Sequence, residues 1–167
     1  GVRLTRIFGQ TLQQRLDPFL MLDYFRSDDP NDYIRGFPDH PHRGFETLTI
    51  LLQGRMRHRD NRGHEGVIEA GGAQWMLAGR GIIHSEMPEQ DQGHLEGFQL
   101  WINLPSEEKM TEPRYQDLST AEIPEIQMDR IRVRVMMGRF REIKGPIQRP
   151  RTEPMVLDII LPKGERL

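Results

Sequence analysis

The sequence predicts an all-β protein, folded as a sandwich or a small barrel. The 12 prolines and 16 glycines are spread along the 167 residues and separate many short segments, as turns separate strands. No long segment repeats apolar residues with the 3.6-residue period of an amphipathic helix. About ten short strands joined by frequent turns suit a sandwich or a barrel, and a small barrel can enclose one ligand.

Segments of strand length lie between these turn residues. Two of them alternate clearly, because residues 55–59 and 130–135 each place three arginines on one face and apolar or histidine side chains on the other. We expect these arginine faces to be ordinary solvent faces paired with acidic residues, rather than a basic patch. The predicted loops are 26–32, 61–66 and 138–150, and the polar segment 106–118 is compatible with one helical turn at 107–110 after a serine cap. The predicted strands are 2–14, 19–22, 46–52, 55–59, 67–69, 74–78, 82–86, 95–104, 131–135 and 155–161.

The loop at residues 138–150 contains Pro146 and Pro150 and is the predicted domain boundary. We therefore expect one domain over residues 1–150. Residues 151–167 would begin a second domain or add a strand that completes the first. The chain opens with Gly1 instead of methionine and stops just after a strand-like segment, so we expect it to be part of a longer protein.

Composition limits the kinds of partner. The formal net charge of −2 gives no global attraction to nucleic acid or to an anionic membrane, and no apolar run approaches the roughly 20 residues of a membrane span. We therefore expect no direct nucleic-acid partner and no membrane partner. Cysteine is absent, which is typical of a cytoplasmic location and requires any metal to be held by histidine and carboxylate.

Two pairs of metal-binding side chains have the spacing of a strand. His40 and His42 are two residues apart, and so are His84 and Glu86. Alternate residues of a strand point to the same face, so each pair can aim at one point. Brought face to face, the pairs would supply three imidazoles and one carboxylate. This ligand set suits a divalent transition metal, with positions left open for a small molecule.

The segments around these residues resemble the pirin family of the cupin superfamily. A His-X-His motif followed by a glutamate and then Gly54 is similar to the first cupin motif, and a glycine-rich turn before His84 is similar to the second. The resemblance to pirins covers roughly residues 1–160. It is carried by LDPFL at 16–20, GFPDHPHRGFET at 36–47, QWM at 74–76, AGRGI at 78–82 and HSEMP at 84–88.

The resemblance implies a cupin-type β-barrel, also called a double-stranded β-helix or jelly roll. Pirins are bicupins that bind metal in the N-terminal barrel alone, so this chain would supply the metal-binding N-terminal half. In most cupins the glutamate at the position of Glu46 binds the metal, whereas in pirins the glutamate at the position of Glu86 does. Glu86 also shares a strand face with His84, so we favour Glu86 and expect a structural, hydrogen-bonded role for Glu46.

The resemblance further implies a quercetin 2,3-dioxygenase activity, in which a flavonol ring is opened with O2 and carbon monoxide is released. The favoured cofactor is one Fe(II) ion held by His40, His42, His84 and Glu86, while the same donors accept Zn, Mn, Ni, Co or Cu. Glu86 would also accept a proton from the small aromatic substrate, and Phe37 is the candidate wall of the substrate pocket.

An alternative of a different class is a regulatory module. The resemblance to pirins also implies a role as a transcription cofactor. In that role the redox state of the iron alters a surface that binds a protein partner. Open coordination positions on the metal would favour the oxidoreductase, and a closed site would favour the module.

Overall fold

β-Strands dominate the chain, as the sequence predicts. The computed structural model describes residues 2–90 and 92–167, and contacts group the chain into two units, Gly1–Ser119 and Thr120–Leu167. The functional division at residue 150 stays a prediction. Over the described residues, no helix has both the length and the apolar character needed to cross a membrane.

Ten strands and one short α-helix lie in the described part of the first unit. The helix α1 is Gln13–Leu16, and 3-10 turns occur at Gln10–Leu12, Pro30–Asp32 and Ser106–Glu108. The strands are β1 (Leu4–Phe8), β2 (Phe19–Ser27), β3 (Phe37–His42), β4 (Phe45–Gln53), β5 (Arg55–Asp60), β6 (Glu65–Glu69), β7 (Ala73–Leu77), β8 (Ile82–Pro88), β9 (Leu95–Asn103) and β10 (Arg114–Leu118).

Two antiparallel sheets form the barrel of the first unit. One has six strands in the order β1-β2-β9-β4-β7-β10, and the other has four in the order β3-β8-β5-β6. A buried cluster joins them, since it combines side chains from β2, β4 and β9 with side chains from β5 and β6. Its members are Phe25, Tyr33, Leu51, Met56, Ile68 and Leu95. The prediction of an all-β barrel is confirmed.

The second unit contains shorter elements. A 3-10 turn at Thr120–Glu122 precedes a three-stranded sheet of order β11-β12-β15 and a two-stranded hairpin of β13 and β14. The strands are β11 (Glu125–Met128), β12 (Ile131–Met137), β13 (Arg139–Phe140), β14 (Ile143–Lys144) and β15 (Val156–Ile160).

The two arginine faces have different environments. On β5 the burial alternates, with arginines outside and Met56, His58 and Asp60 inside. The outer arginines pair with acidic residues, such as Arg55 with Glu89 at 3.1 Å, so the predicted solvent face is confirmed there. On β12 the prediction fails at Arg134, which is buried and lies 3.3 Å from Asp158. Asp158 is its register partner on β15. Because β12 is the central strand of the three-stranded sheet, Arg134 has a neighbouring strand on each side.

Several predicted boundaries are wrong. The predicted strand at 2–14 ends at Phe8, the one at 19–22 extends to Ser27, and the segment 106–118, for which no strand is predicted, contains β10. β10 is an edge strand paired with β7, and one of its five residues is buried. An edge strand with so little burial lacks the apolar alternation that marks a strand in a sequence.

We expect Met56→Ala to test the cluster that joins the sheets. Met56 is completely buried, so truncation leaves a cavity, and the free energy of unfolding should fall by about 2–5 kcal/mol. Urea unfolding followed by tryptophan fluorescence measures this loss. The matched control is Met110→Ala, at a position that is 62% exposed and should change stability by less than about 0.5 kcal/mol. Equal losses in the two variants would contradict the assignment of Met56 to the core.

Candidate metal centre

The pairing of β3 with β8 brings three histidines together. His40 lies directly opposite His84 in the antiparallel register, and His42 lies two residues further along β3. One ring nitrogen from each histidine falls within 4.8 Å of the other two. The distance between the Nε2 atoms of His40 and His84 is 3.0 Å. The three histidines therefore form one cluster, and their role as metal ligands stays a prediction.

Prolines on both sides of His40 are compatible with its strand because β3 is an edge. Pro38 and Pro41 cannot donate backbone hydrogen bonds, and edge strands tolerate this loss. The Pro38 carbonyl oxygen lies 2.8 Å from His40 Nδ1. Because a carbonyl only accepts, Nδ1 must carry the hydrogen, and in a neutral ring the lone pair is then on Nε2. That nitrogen faces His84.

Burial keeps the imidazoles of His42 and His84 neutral. His42 and His84 are 4% and 1% exposed. The pKa of His42 is lowered to about 3 by burial and then by the adjacent rings of His84 and His40. The pKa of His84 is also lowered to about 3, again by burial first and by His40 second. Neutral imidazole is the form that binds metal.

The three rings also contain nitrogens with unmet bonding capacity. Both ring nitrogens of His42 and Nδ1 of His84 are buried and have no hydrogen-bond partner. A buried polar atom without a partner costs about 1–3 kcal/mol, and a metal ion would satisfy one nitrogen on His42. Three clustered imidazole nitrogens therefore fit a divalent transition metal, for which imidazole is the commonest protein ligand.

Glu86 lies beside the histidines but is bound by the other sheet. Its carboxylate is 1% exposed. Thr49 Oγ1 on β4 donates to Oε1 at 3.0 Å, and Gln99 Nε2 on β9 donates to Oε2 at 2.8 Å. Burial raises the pKa of Glu86, while the hydrogen bonds from Gln99 and Thr49 oppose that rise. Among the described residues, the cluster with metal-site geometry consists of the three histidines alone, so Glu86 as fourth ligand stays a prediction.

Glu46 occupies a different environment, on β4. Its side chain is completely buried, and Trp75 Nε1 donates to its Oε2 at 3.1 Å. This contact agrees with the structural, hydrogen-bonded role expected for Glu46.

The remaining histidines lie outside the cluster. His58 is a buried core residue, and its Nε2 lies 2.9 Å from Asp117. The His64 side chain is 63% exposed, and its Nδ1 lies 2.8 Å from the buried carboxylate of Asp60. His94 lies between the carboxylates of Asp28 and Glu96, at 2.7 and 3.0 Å. Those two acids raise its pKa.

Aromatic rings surround part of the cluster. Phe37, the predicted wall of a substrate pocket, is half-buried and packs its ring edge-on against Phe25, with the centroids 6.5 Å apart. Its contact with substrate stays a prediction. Phe45 and Trp101 stack on each other at 4.4 Å, and both present an edge or face to His42 at about 5 Å.

Sequence reasoning missed Thr49, Gln99, Phe45 and Trp101. None belongs to a metal-binding motif, and β4 and β9 meet β8 from the opposite sheet. The available signal was the alternation of Gln99 and Trp101 in β9, which places both on one face without saying what that face meets.

The two-sheet barrel and its histidine cluster define a cupin-type protein with a candidate metal centre. A comparison with protein-family models matches residues 1–102 to the family described as Pirin. The chain belongs to the pirin family.

Individual relatives agree with this assignment. A Pirin-like protein from Caulobacter vibrioides is 55% identical over 98% of the chain and 60% of its own length. The crystal structure of a quercetin 2,3-dioxygenase from Acinetobacter baumannii matches with a TM-score of 0.82 and 40% identity, over 87% of the chain and 54% of its own. A bacterial pirin from Escherichia coli in complex with nickel(II) matches with a TM-score of 0.56 and 25% identity, over 74% and 57%. The chain thus spans little more than half the length of these relatives.

The buried histidines predict acid sensitivity of the metal-free protein. Their folded pKa values are lower than the ordinary value, so below about pH 6.5 the unfolded chain binds protons that the folded chain does not. Stability should therefore fall as the pH drops from 6.5 towards 3. Each histidine should contribute on the order of 1 kcal/mol between about pH 7 and pH 5.

Urea unfolding of chelator-treated protein at the two pH values measures this effect. His42→Gln should reduce the pH dependence, whereas Met110→Ala, at an exposed position without a titratable group, should leave it close to that of the parent. An unchanged slope in His42→Gln would show that the ring of His42 is already protonated or accessible to water in the folded protein.

Proposed function

We propose that this chain supplies the metal-binding barrel of a dioxygenase that acts on quercetin-like flavonols. The observation that carries the proposal is the convergence of three histidine nitrogens beside the buried carboxylate of Glu86. Two relatives support it, the quercetin 2,3-dioxygenase from Acinetobacter baumannii and the nickel(II)-bound pirin from Escherichia coli. The activity, substrate and partners of the whole protein are part of the proposal, because the chain covers only part of each relative.

His40, His42, His84 and Glu86 would hold the metal. Fe(II) is the proposed ion, and Zn, Mn, Ni, Co and Cu fit the same nitrogen and oxygen donors. When bound, a divalent ion supplies positive charge and open positions that can accept the adjacent oxygen atoms of a flavonol and O2.

The side chains around the cluster have separable tasks. The barrel excludes water from His42, His84 and Glu86, which strengthens electrostatic interactions there. Glu86 accepts the hydroxyl proton of the substrate on a carboxylate oxygen, and its raised pKa makes it a stronger base than an exposed glutamate. Phe37 would contact the aromatic rings of the substrate. A cytoplasmic location and the absence of a nucleic-acid partner stay predictions.

Replacement of one histidine should release the metal. His84→Ala removes one of the converging nitrogens, and loss of a direct ligand should lower the affinity by more than the roughly 10–100-fold typical of outer partners. Elemental analysis of tag-free protein after dialysis measures occupancy. His94→Ala is the matched control, because its ring is bound by Asp28 and Glu96 and lies outside the cluster. Full occupancy in His84→Ala would place the metal elsewhere.

Glu86→Gln and Glu46→Gln should separate the proton acceptor from the structural carboxylate. Glu86→Gln keeps the shape and one oxygen donor but removes the basicity, so turnover per bound metal should fall by about 10²–10⁴-fold. Glu46→Gln should keep turnover per metal within about tenfold of the parent, since it supports the fold through Trp75.

The measurement is oxygen uptake and carbon monoxide release with quercetin, each normalised to metal content. Parent-like turnover in Glu86→Gln together with inactivity of Glu46→Gln would reverse the two assignments. A parent protein that binds metal but turns over no flavonol would favour the regulatory module over the dioxygenase.

A further inference from the structure

The Glu86 carboxylate has a hydrogen-bond donor on each of its oxygens, and both donors come from the opposite sheet. Thr49 on β4 and Gln99 on β9 are direct partners in the register of those strands, and they bond to Oε1 and Oε2 respectively. Gln99 Nε2 also lies 3.3 Å from Thr49 Oγ1. Both carboxylate oxygens are therefore already engaged by donors from the opposite sheet.

Trp101 determines which way the Gln99 amide faces. A glutamine amide can be turned so that either its oxygen or its amino group meets a neighbour. Trp101 Nε1 lies 3.1 Å from Gln99 Oε1. Because an indole nitrogen can only donate, the Gln99 oxygen must face Trp101, and the amino group must then face Glu86. Trp101 thus fixes the donor that binds the carboxylate.

The same tryptophan contacts the histidine cluster. Its ring meets His42 in an edge arrangement with centroids 5.1 Å apart, and it is stacked on Phe45. The stack restrains Trp101, so its indole N–H keeps a fixed direction. A continuous set of contacts therefore runs from His42 through Trp101 and Gln99 to Glu86.

We propose that Gln99, oriented by Trp101, is a positioning residue that makes Glu86 a weak metal ligand. A metal at the histidines would share the two carboxylate oxygens with Gln99 and Thr49, and each hydrogen bond draws electron density from its oxygen and weakens that oxygen as a metal donor. Glu86 then stays available as a proton acceptor instead of being fully committed to the metal. This inference rests on the proposed function, because it requires a metal at the three histidines and Glu86 within its reach.

The proposal predicts a gain in metal affinity when the donor is removed. Gln99→Leu leaves Glu86 Oε2 buried without that partner, which destabilises the metal-free protein, and a bound metal becomes the alternative partner of the oxygen. The affinity should therefore rise, by about tenfold if the lost partner is worth about 1.4 kcal/mol. If Gln99 only oriented Glu86 as a ligand, the metal affinity should fall instead. Replacement of such an outer partner typically lowers the metal affinity of a site by about 10–100-fold.

The experiment is a competition titration of the full chain with Co(II) and a chromophoric chelator, together with the visible absorption of bound Co(II). Gln99→Leu should bind Co(II) about tenfold more tightly than the parent and show an altered absorption spectrum. Trp101→Phe keeps the stacked ring but frees the amide to turn, and should shift the affinity in the same direction by a smaller factor. Gln74→Leu removes a buried glutamine whose amide goes to Asp117 instead of Glu86, and should leave the affinity unchanged.

If Gln99 acts through Glu86, the effect of replacing Gln99 should disappear when Glu86 is also replaced. In a Glu86→Gln background, Gln99→Leu should no longer raise the affinity. An affinity that is unchanged or lower in Gln99→Leu, or a gain that persists with Glu86→Gln, would overturn the positioning role while leaving the proposed metal function intact. If Gln99→Leu does not fold, Thr49→Val removes the donor to Oε1 with nearly the same shape and carries the same expectation. A parent protein that binds no Co(II) would overturn both proposals.

Discussion

The antiparallel pairing of β3 with β8 is the interaction on which the candidate metal centre depends. It places His40 opposite His84, and His42 lies two residues further along the same strand. β3 can carry the prolines that flank His40 because it lies at the edge of its sheet. A shift of one residue in this pairing would turn His40 and His42 to the outer face. The sheet register thus has a direct chemical consequence.

Burial of polar groups explains the architecture around that pairing. Each buried carboxylate near the centre receives a donor from another strand: Glu86 from Thr49 and Gln99, and Glu46 from Trp75. The histidine cluster is different, because nitrogens of His42 and His84 have no such partner. Within the described barrel, this contrast distinguishes groups that support the fold from groups whose bonding capacity is open to a ligand.

The environment of Glu86 connects fold with chemistry. Membership of the pirin family and the cupin-type barrel account for the position of the histidines, but many activities occur on such barrels. In the proposed function, the reactivity of the centre would depend on how strongly Glu86 engages the metal and how readily it takes up a proton. The groups that hold Glu86 come from β4 and β9, two strands of the sheet opposite the histidines.

The sequence by itself determined the features that depend on neighbours in the chain. The two-residue spacing of His40 and His42 required a common face, and the alternation of β5 predicted its buried and exposed sides, as the structure confirms. Tertiary structure decided the features that depend on strand partners far apart in sequence. Arg134 is buried because β15 supplies Asp158, β10 is a strand because β7 offers it an edge, and Glu86 is held by residues 37 and 13 positions away. Local spacing fixes the direction of a side chain along a strand, whereas the group that it meets is set by sheet pairing and packing, which no short segment of sequence encodes.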